Sequence, residues 1–333
     1  MTPLKIIQVG SGGWGKSWLK FLSESEDWEL AGLVSRGGKN LEQAKSQWQL
    51  QDDLCFNDLD EALATSADTV LVTVPHNLHV PVARKALEAG KHVLCEKPFS
   101  DDFQAAVDLV SFAESTELQL AVSQNFRYRL GLWQMKALSE PLGPVDSLRI
   151  ELFQPQGRLP DWRADQVSTL ALEIMIHHVD MTRFLLGAKA ERVFCKAWNP
   201  SWSESKGPAN ISAIIEFDTG AVLSYLGSWA ARGKQSGWEG QWRVQFENGV
   251  TTWEGGDPET ENADIETISP PVVNDFPGHD RDGLLIDFAQ AIRQKTPFPT
   301  NGKDNLQSLA IIFAAIASFQ ENRPVAINEL LSE

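Results

Sequence analysis

Cysteine is scarce in this chain of 333 residues: Cys55, Cys95 and Cys195 lie far apart with no C-x-x-C pair. That spacing argues against a disulfide framework or a structural zinc site and fits a reducing cytoplasm. Positive charge is also short, because 29 Lys and Arg stand against 45 Asp and Glu, a formal charge of −16. A surface so acidic repels phosphate backbones and anionic lipid, which disfavours nucleic acid and membrane partners and leaves small molecules. Long apolar runs are missing too, since the stretch from Leu309 to Ala317 covers only nine residues and is too short to cross a bilayer. The opening Met1-Thr2-Pro3-Leu4-Lys5 has no basic segment leading into an apolar one, so no signal peptide is expected. There is no internal repeat and no low-complexity tract, although Gly255–Ala263 is polar and acidic enough to be expected as a mobile loop.

With 42% hydrophobic and 22% charged residues, the composition is that of a globular chain, and the length is that of two domains. The first third alternates short Val/Ile/Leu runs with helical periods, the pattern of βαβ units and a doubly wound parallel sheet. Expected strands are Leu4–Val9, Glu29–Ser35, Asp68–Val74, His92–Glu96 and Leu118–Ser123, with a very short one at Cys55-Phe56. Helices are expected over Val80–Ala89, closed by Gly90, and over Phe103–Ser115, introduced by Ser100-Asp101-Asp102. Beyond about Arg129, after a short helix at Trp133–Ser139, strand-like runs follow one another: Val145–Phe153, Arg192–Ala197, Ala209–Phe217, Ala221–Trp229 and Trp242–Phe246. Consecutive strands of this kind imply an α+β domain with a large, mostly antiparallel open sheet. Helices over Leu170–Leu186, Leu284–Arg293 and Asn305–Glu321 complete the reading. The expected domains are residues 1–123 and 124–333, with the last helix, about 305–321, packing back on the first.

Three motifs carry chemistry. Strand Leu4–Val9 runs into Gly10-Ser11-Gly12-Gly13-Trp14-Gly15, a G-x-G-x-x-G that opens a helix and so points to a dinucleotide pyrophosphate, against the alternative of a structural turn. About 20 residues beyond the last glycine, the ribose position holds Ser35, then Arg36 and Lys39. A hydroxyl and cations suit a 2′-phosphate, so NADP is preferred and NAD remains open; the alternative is a solvated turn. The second motif is Glu96-Lys97-Pro98 at the carboxyl end of a strand, where open α/β sheets bind ligands. Lys97 there either hydrogen-bonds a substrate oxygen and assists proton transfer, or is a surface lysine paired with its neighbour. Third, Glu173, His177 and Asp180 share a helix face at i, i+4 and i+7, with His178 a quarter turn away. A carboxylate beside an imidazole serves acid/base chemistry; a packed polar face and a divalent-metal site are the alternatives, and no further ligand cluster supports a metal. Six of the twelve tryptophans, Trp198, Trp202, Trp229, Trp238, Trp242 and Trp253, fall in the strand-rich half, where core and subunit contacts account for most and substrate for one or two.

In order along the chain, the glycine motif, Pro75-His76-Asn77-Leu78-His79, Ala89-Gly90-Lys91-His92-Val93-Leu94-Cys95-Glu96-Lys97-Pro98, Gln124-Asn125-Phe126-Arg127-Tyr128-Arg129, Asp161-Trp162-Arg163-Ala164-Asp165 and Asn322-Arg323-Pro324-Val325 resemble the Gfo/Idh/MocA oxidoreductases. The resemblance implies an N-terminal Rossmann domain and a C-terminal domain whose sheet makes subunit contacts, hence a homo-oligomer, dimer or tetramer. It implies that His177 takes a proton from a hydroxyl of a sugar, cyclitol or related polyhydroxy compound while hydride passes to a nicotinamide, that Lys97 holds the oxygen, and that Glu173 orients the imidazole or contacts another hydroxyl. Cofactor contacts are implied for Gly10, Gly12, Gly13, Trp14, Gly15, Ser35, Arg36, Lys39, Val74, Pro75, His76, His79, Glu96, Lys97 and Gln124. Substrate contacts are implied for Arg127, Trp162, Arg163, His178 and Asp180. The chain departs from the family pattern in carrying Glu173 where Asp is common, and Ser168-Thr169-Leu170 in place of a glycine run. Two other activities occur among such proteins: a non-catalytic NAD(P)-binding sensor, and a glycosidase that uses a held nicotinamide.

Overall fold

The computed structural model describes residues 2–155 and 168–331. Six short apolar runs form one parallel sheet: β1 (Leu4–Val9), β2 (Trp28–Val34), β3 (Cys55–Phe56), β4 (Thr69–Val72), β5 (His92–Cys95) and β6 (Leu120–Val122). Their order is β3-β2-β1-β4-β5-β6, so the sequence of strands reverses direction between β1 and β4. Every residue of β4 is buried, as expected for a strand covered on both faces by helices. Those helices start and stop as their ends dictate. Phe103–Glu114 begins where the Asp102 carboxylate accepts from the Ala105 amide, and His79–Glu88 is followed by Gly90 at φ 75°, a left-handed position that glycine adopts without penalty.

The chain forms two compact units, one of residues Met1–Asn125 and Pro277–Leu306 and another of Phe126–Phe276 and Gln307–Glu333. The late segment joins the first unit through specific contacts. In the helix Asp280–Gln294, Phe288 stacks on Trp28 at 5.7 Å between ring centroids, and the Trp28 indole donates to the Leu285 carbonyl. Farther on, Thr300 exchanges hydrogen bonds with Val122 at the edge of β6.

The second unit is built on nine strands: β7 (Val145–Phe153), β8 (Ala190–Trp198), β9 (Asn210–Phe217), β10 (Val222–Ser228), β11 (Gln241–Phe246), β12 (Gly249–Trp253), β13 (Glu259–Asn262), β14 (Thr267–Ile268) and β15 (Val325–Ala326). The order is β14-β13-β12-β11-β7-β10-β9-β8-β15, antiparallel throughout except for the parallel pair β7 and β10. Burial alternates along β9 and β10, so one face packs on the core and the other meets solvent. The expected loop at Gly255–Ala263 contains β13 in its second half. Its Thr260 is buried and meets Thr251 of β12 hydroxyl to hydroxyl at 2.9 Å, while Glu259 and Glu261 point outward and hide the alternation in a run that reads as acidic loop.

The helix expected over Leu170–Leu186 forms in two parts, a π-helical turn at Ala171–Met175 and an α-helix at Ile176–Leu186. Widened turns of this kind recur at functional sites because they displace side chains from the regular stripe.

Candidate active site

The glycine loop is held open by its own packing. A Cβ on Gly10, at φ 115°, would meet the Thr73 carbonyl oxygen at 2.8 Å, and one on Gly15 would meet the Gly10 oxygen at 2.3 Å. Around Gly12 and Gly13 nothing lies within 4 Å of such an atom, so a ligand backbone has room at those two positions only. Gln8 braces the loop from below, its amide donating to the Gly10 and Gly15 carbonyls at 2.9 and 2.8 Å, and Thr73 donates to Val9 and Gly10. The helix Gly13–Glu24 then presents unpaired amides and the positive end of its dipole, the elements of a pyrophosphate cradle. A dinucleotide fits these residues.

At the tip of β2, the Ser35 hydroxyl lies 2.6 Å from that of Ser11, tying the ribose position to the glycine loop. Arg36 and Lys39 are exposed, and the two glycines between them, Gly37 and Gly38, have φ of 83° and 79°. Lys16 donates to Gln43, and both line a shallow depression with Lys39.

The carboxyl ends of β4 and β5 bring Val74, Pro75, His76, His79, Glu96 and Lys97 to the same edge of the sheet. Glu96 is buried, and its carboxylate is taken up internally: Trp18 donates to one oxygen at 2.6 Å and the Lys97 amide to the other at 3.0 Å. Burial raises its pKa, opposed by the Lys97 charge and these donors. Glu96 is thus held internally and supports the lysine beside it. Trp14 is about half exposed and lies under the Arg281 guanidinium, which also sits 4.0 Å from the Phe21 ring centroid. His79 is buried with both ring nitrogens facing carbonyl oxygens, Pro98 at 2.8 Å and Val74 at 2.9 Å, so its ring ties together the segments that follow two strands. His76 is buried and packs against it, with ring centroids 5.5 Å apart. Gln124, at the end of β6, is buried as well.

In the second unit Phe126 and Arg127 meet the helix that carries His177. Phe126 stacks on the imidazole at 4.2 Å and 16°, fixing the plane of the ring. Arg127 binds Asp180 with two nitrogens, at 2.6 and 2.9 Å, and Ser308 donates to the same carboxylate at 2.7 Å. Arg183 donates to Ser308 at 2.8 Å and closes the network. Glu173, in the π-helical turn, is buried beside these groups in sequence. His178 is fully buried: its Nε2 donates to the Trp238 carbonyl at 2.9 Å and its Nδ1 accepts from the Tyr225 hydroxyl at 3.1 Å. One neutral tautomer satisfies both bonds. His178 and Asp180 thus have their polar atoms engaged inside the protein, where they position the helix. Trp162 and Arg163 lie outside the described residues. Phe126, Tyr225, Ser308, Trp18 and Arg281 were not legible as site components; only Phe126 carried a signal, its place inside the Gln124–Arg129 motif.

Burial pulls the His178 pKa down to about 4. The unfolded imidazole takes its proton near 6.5, so the unfolded state binds more protons between these values and stability falls as pH drops through that window, levelling off below it. A shift of this size corresponds to about 3 kcal/mol. Burial shifts His79 and His92 in the same direction. Urea unfolding midpoints measured from pH 7 to pH 4 should decline less steeply in His178→Gln than in the wild type; equal slopes would remove His178 from the account.

Residues 4–124 match the family described as "Oxidoreductase family, NAD-binding Rossmann fold", and residues 136–252 match "GFO/IDH/MocA C-terminal domain". The chain belongs to the Gfo/Idh/MocA oxidoreductases. It is 27% identical over 98% of its length to the uncharacterised protein y4oX of Sinorhizobium fredii, of which 96% is covered. It is 24% identical to the inositol 2-dehydrogenase of Rhizobium meliloti, over 79% of this chain and 82% of that one. An oxidoreductase from Agrobacterium radiobacter, solved in complex with NAD+, L-tartaric acid and magnesium, superposes with a TM-score of 0.87 at 20% identity, covering 99% of this chain and 100% of that one, and so shares the Gfo/Idh/MocA fold. No helix among the described residues is long and apolar enough to cross a membrane.

Proposed function

We propose that this protein is a dehydrogenase or reductase that interconverts a secondary alcohol and a carbonyl on a sugar, cyclitol or related polyhydroxy compound, with NADP preferred over NAD. The observation that carries the reading is the carboxyl edge of the parallel sheet, where a glycine loop open at Gly12 and Gly13 stands on the same edge as Lys97. The inositol 2-dehydrogenase likeness supports a polyhydroxy substrate. A nicotinamide bound there supplies the acceptor for the two electrons leaving the alcohol carbon.

The residues divide the remaining work. Gly12, Gly13 and the first-turn amides hold the pyrophosphate, and Ser35, Arg36 and Lys39 hold the adenosine ribose and its 2′-phosphate. The His177 imidazole accepts the hydroxyl proton, with its ring plane held by Phe126. The Lys97 ammonium donates to the substrate oxygen as charge develops on it. Glu173 orients the imidazole or meets a second hydroxyl. NADP preference rests on two exposed cations, Arg36 and Lys39, at a ribose position that offers a serine hydroxyl instead of a carboxylate. The three free thiols fit a cytoplasmic protein, and the solvent-facing side of the second sheet, where exposed Phe194 and Ile214 pair across β8 and β9, suits contact with a second copy.

The test is incubation with both nicotinamides and a panel of polyols and sugars, followed by absorbance of the reduced cofactor. Turnover with a lower KM for NADP+ than for NAD+ is expected, and Arg36→Ala should raise the NADP+ KM about tenfold while changing that for NAD+ little, in line with the loss of one charge-assisted hydrogen bond. Tight dinucleotide binding without turnover would favour a sensor. Free sugar released from a glycoside with no net reduction would point to a glycosidase.

A further inference from the structure

Gln124 lies just beyond β6 and Lys97 just beyond β5, each two residues past the last registered pair of these adjacent strands, Cys95 and Val122. Neighbouring strands in a sheet run about 5 Å apart, so both residues leave the sheet at the same carboxyl edge. The Gln124 backbone is fixed, its amide donating to Val122 at 2.9 Å while the preceding Ser123 amide donates to Cys95 at 2.8 Å. Its side chain is 1% exposed, and neither Oε1 nor Nε2 has a hydrogen-bond partner.

A buried amide with both ends unsatisfied is costly, and the partner that relieves it must offer an acceptor and a donor together. Asn305 is also buried with both amide atoms unpartnered, but it lies within the helix Gly302–Glu321 and not at a strand end. In a sheet of this order a dinucleotide spans the reversal point between β1 and β4; with the glycine loop after β1 on the pyrophosphate, one mononucleotide half falls over the β4, β5 and β6 ends. Arg36 and Lys39 claim the adenosine half at β2, which leaves the nicotinamide half at β6.

We propose that the Gln124 carboxamide pairs with the carboxamide of the nicotinamide ring, Nε2 donating to its oxygen and Oε1 accepting from its NH2. The inference rests on the dinucleotide reading above. It makes Gln124 the residue that distinguishes a nicotinamide from a nicotinic acid ring, because a carboxylate there would face the Gln124 oxygen with no proton to share.

Binding calorimetry tests it without turnover. For the wild type, Gln124→Met and Gln124→Ala, affinities would be measured for NADP+ and NAD+, for their truncated forms 2′-phospho-ADP-ribose and ADP-ribose, which lack the ring, and for deamido-NAD+. The expected result is about tenfold weaker binding of the whole dinucleotides by both variants, with the truncated forms bound as by the wild type. Wild-type protein should also bind deamido-NAD+ about tenfold more weakly than NAD+, a preference absent from Gln124→Met. Unchanged dinucleotide affinity in the variants overturns the pairing, as does an equal loss for whole and truncated ligands, which would mark Gln124 as a folding residue. Failure of wild-type protein to bind even the truncated forms would overturn the dinucleotide reading itself, and the pairing with it.

Discussion

Lys97→Met is expected to lower turnover by about 10²- to 10⁴-fold, the range for loss of a positioned proton donor, while dinucleotide affinity stays within a few-fold of the wild type. Methionine matches the length of the lysine stem and removes only the charge and its protons. The expectation is sharp because the protein invests so much in this position. The Lys97 amide is held by the Glu96 carboxylate, which Trp18 fixes in turn, and the Pro98 carbonyl next along the chain meets the His79 ring. Chain ends of strands are ordinarily loose; this one is tied on three sides, as a residue that must meet a reacting atom requires. Steady-state kinetics beside calorimetry would separate the two effects. A Lys97→Met protein with full activity would remove the proposed chemistry.

Asp180→Ala should destabilise the fold by about 3–5 kcal/mol, the cost of leaving a buried ion pair half empty. Arg127, Asp180 and Arg183 are all buried, and the carboxylate is the acceptor that balances two guanidinium groups, directly with Arg127 at 2.6 Å and at 3.8 Å with Arg183. Without it, two buried guanidinium groups lose the carboxylate that faces them both. Urea unfolding would read this as a lower midpoint. The double variant Arg127→Met with Asp180→Leu should recover much of the loss, because it replaces the main ion pair with apolar groups of similar volume. An Asp180→Ala protein as stable as the wild type would show that the network carries no net stability.

How much of this was legible depends on the distance over which each feature is decided. Strands β1 and β7 were read to the residue, since a run of six or nine residues with the right period needs no knowledge of its neighbours. The glycine loop was equally local. Strand β13 was missed because its one buried side chain, Thr260, is flanked by outward glutamates, and the partner that decides its burial is on another strand. The internal partners of His178 and Asp180 were hidden for the same reason. Residue type marks them as able to bind a hydroxyl, but Tyr225, Trp238, Arg127 and Ser308, which occupy their polar atoms, come from four separate parts of the chain. Saturation of a polar group is a tertiary fact, and sequence spacing does not contain it. The widened turn at Ala171–Met175 was also unreadable, because it shifts Glu173 relative to His177 without altering their spacing along the chain.

The placement of β7 has a consequence for synthesis. This strand is the first of its sheet to leave the ribosome, but both of its neighbours, β10 and β11, are encoded some 70 to 100 residues later. The edge of β6 waits longer still, for Thr300 near the end of the chain. Contacts of such long sequence separation form slowly and leave strand edges uncovered in the meantime. Nascent chains halted before residue 241 should therefore be the species that chaperones hold, and neither half of the molecule can finish before nearly all of it has been translated.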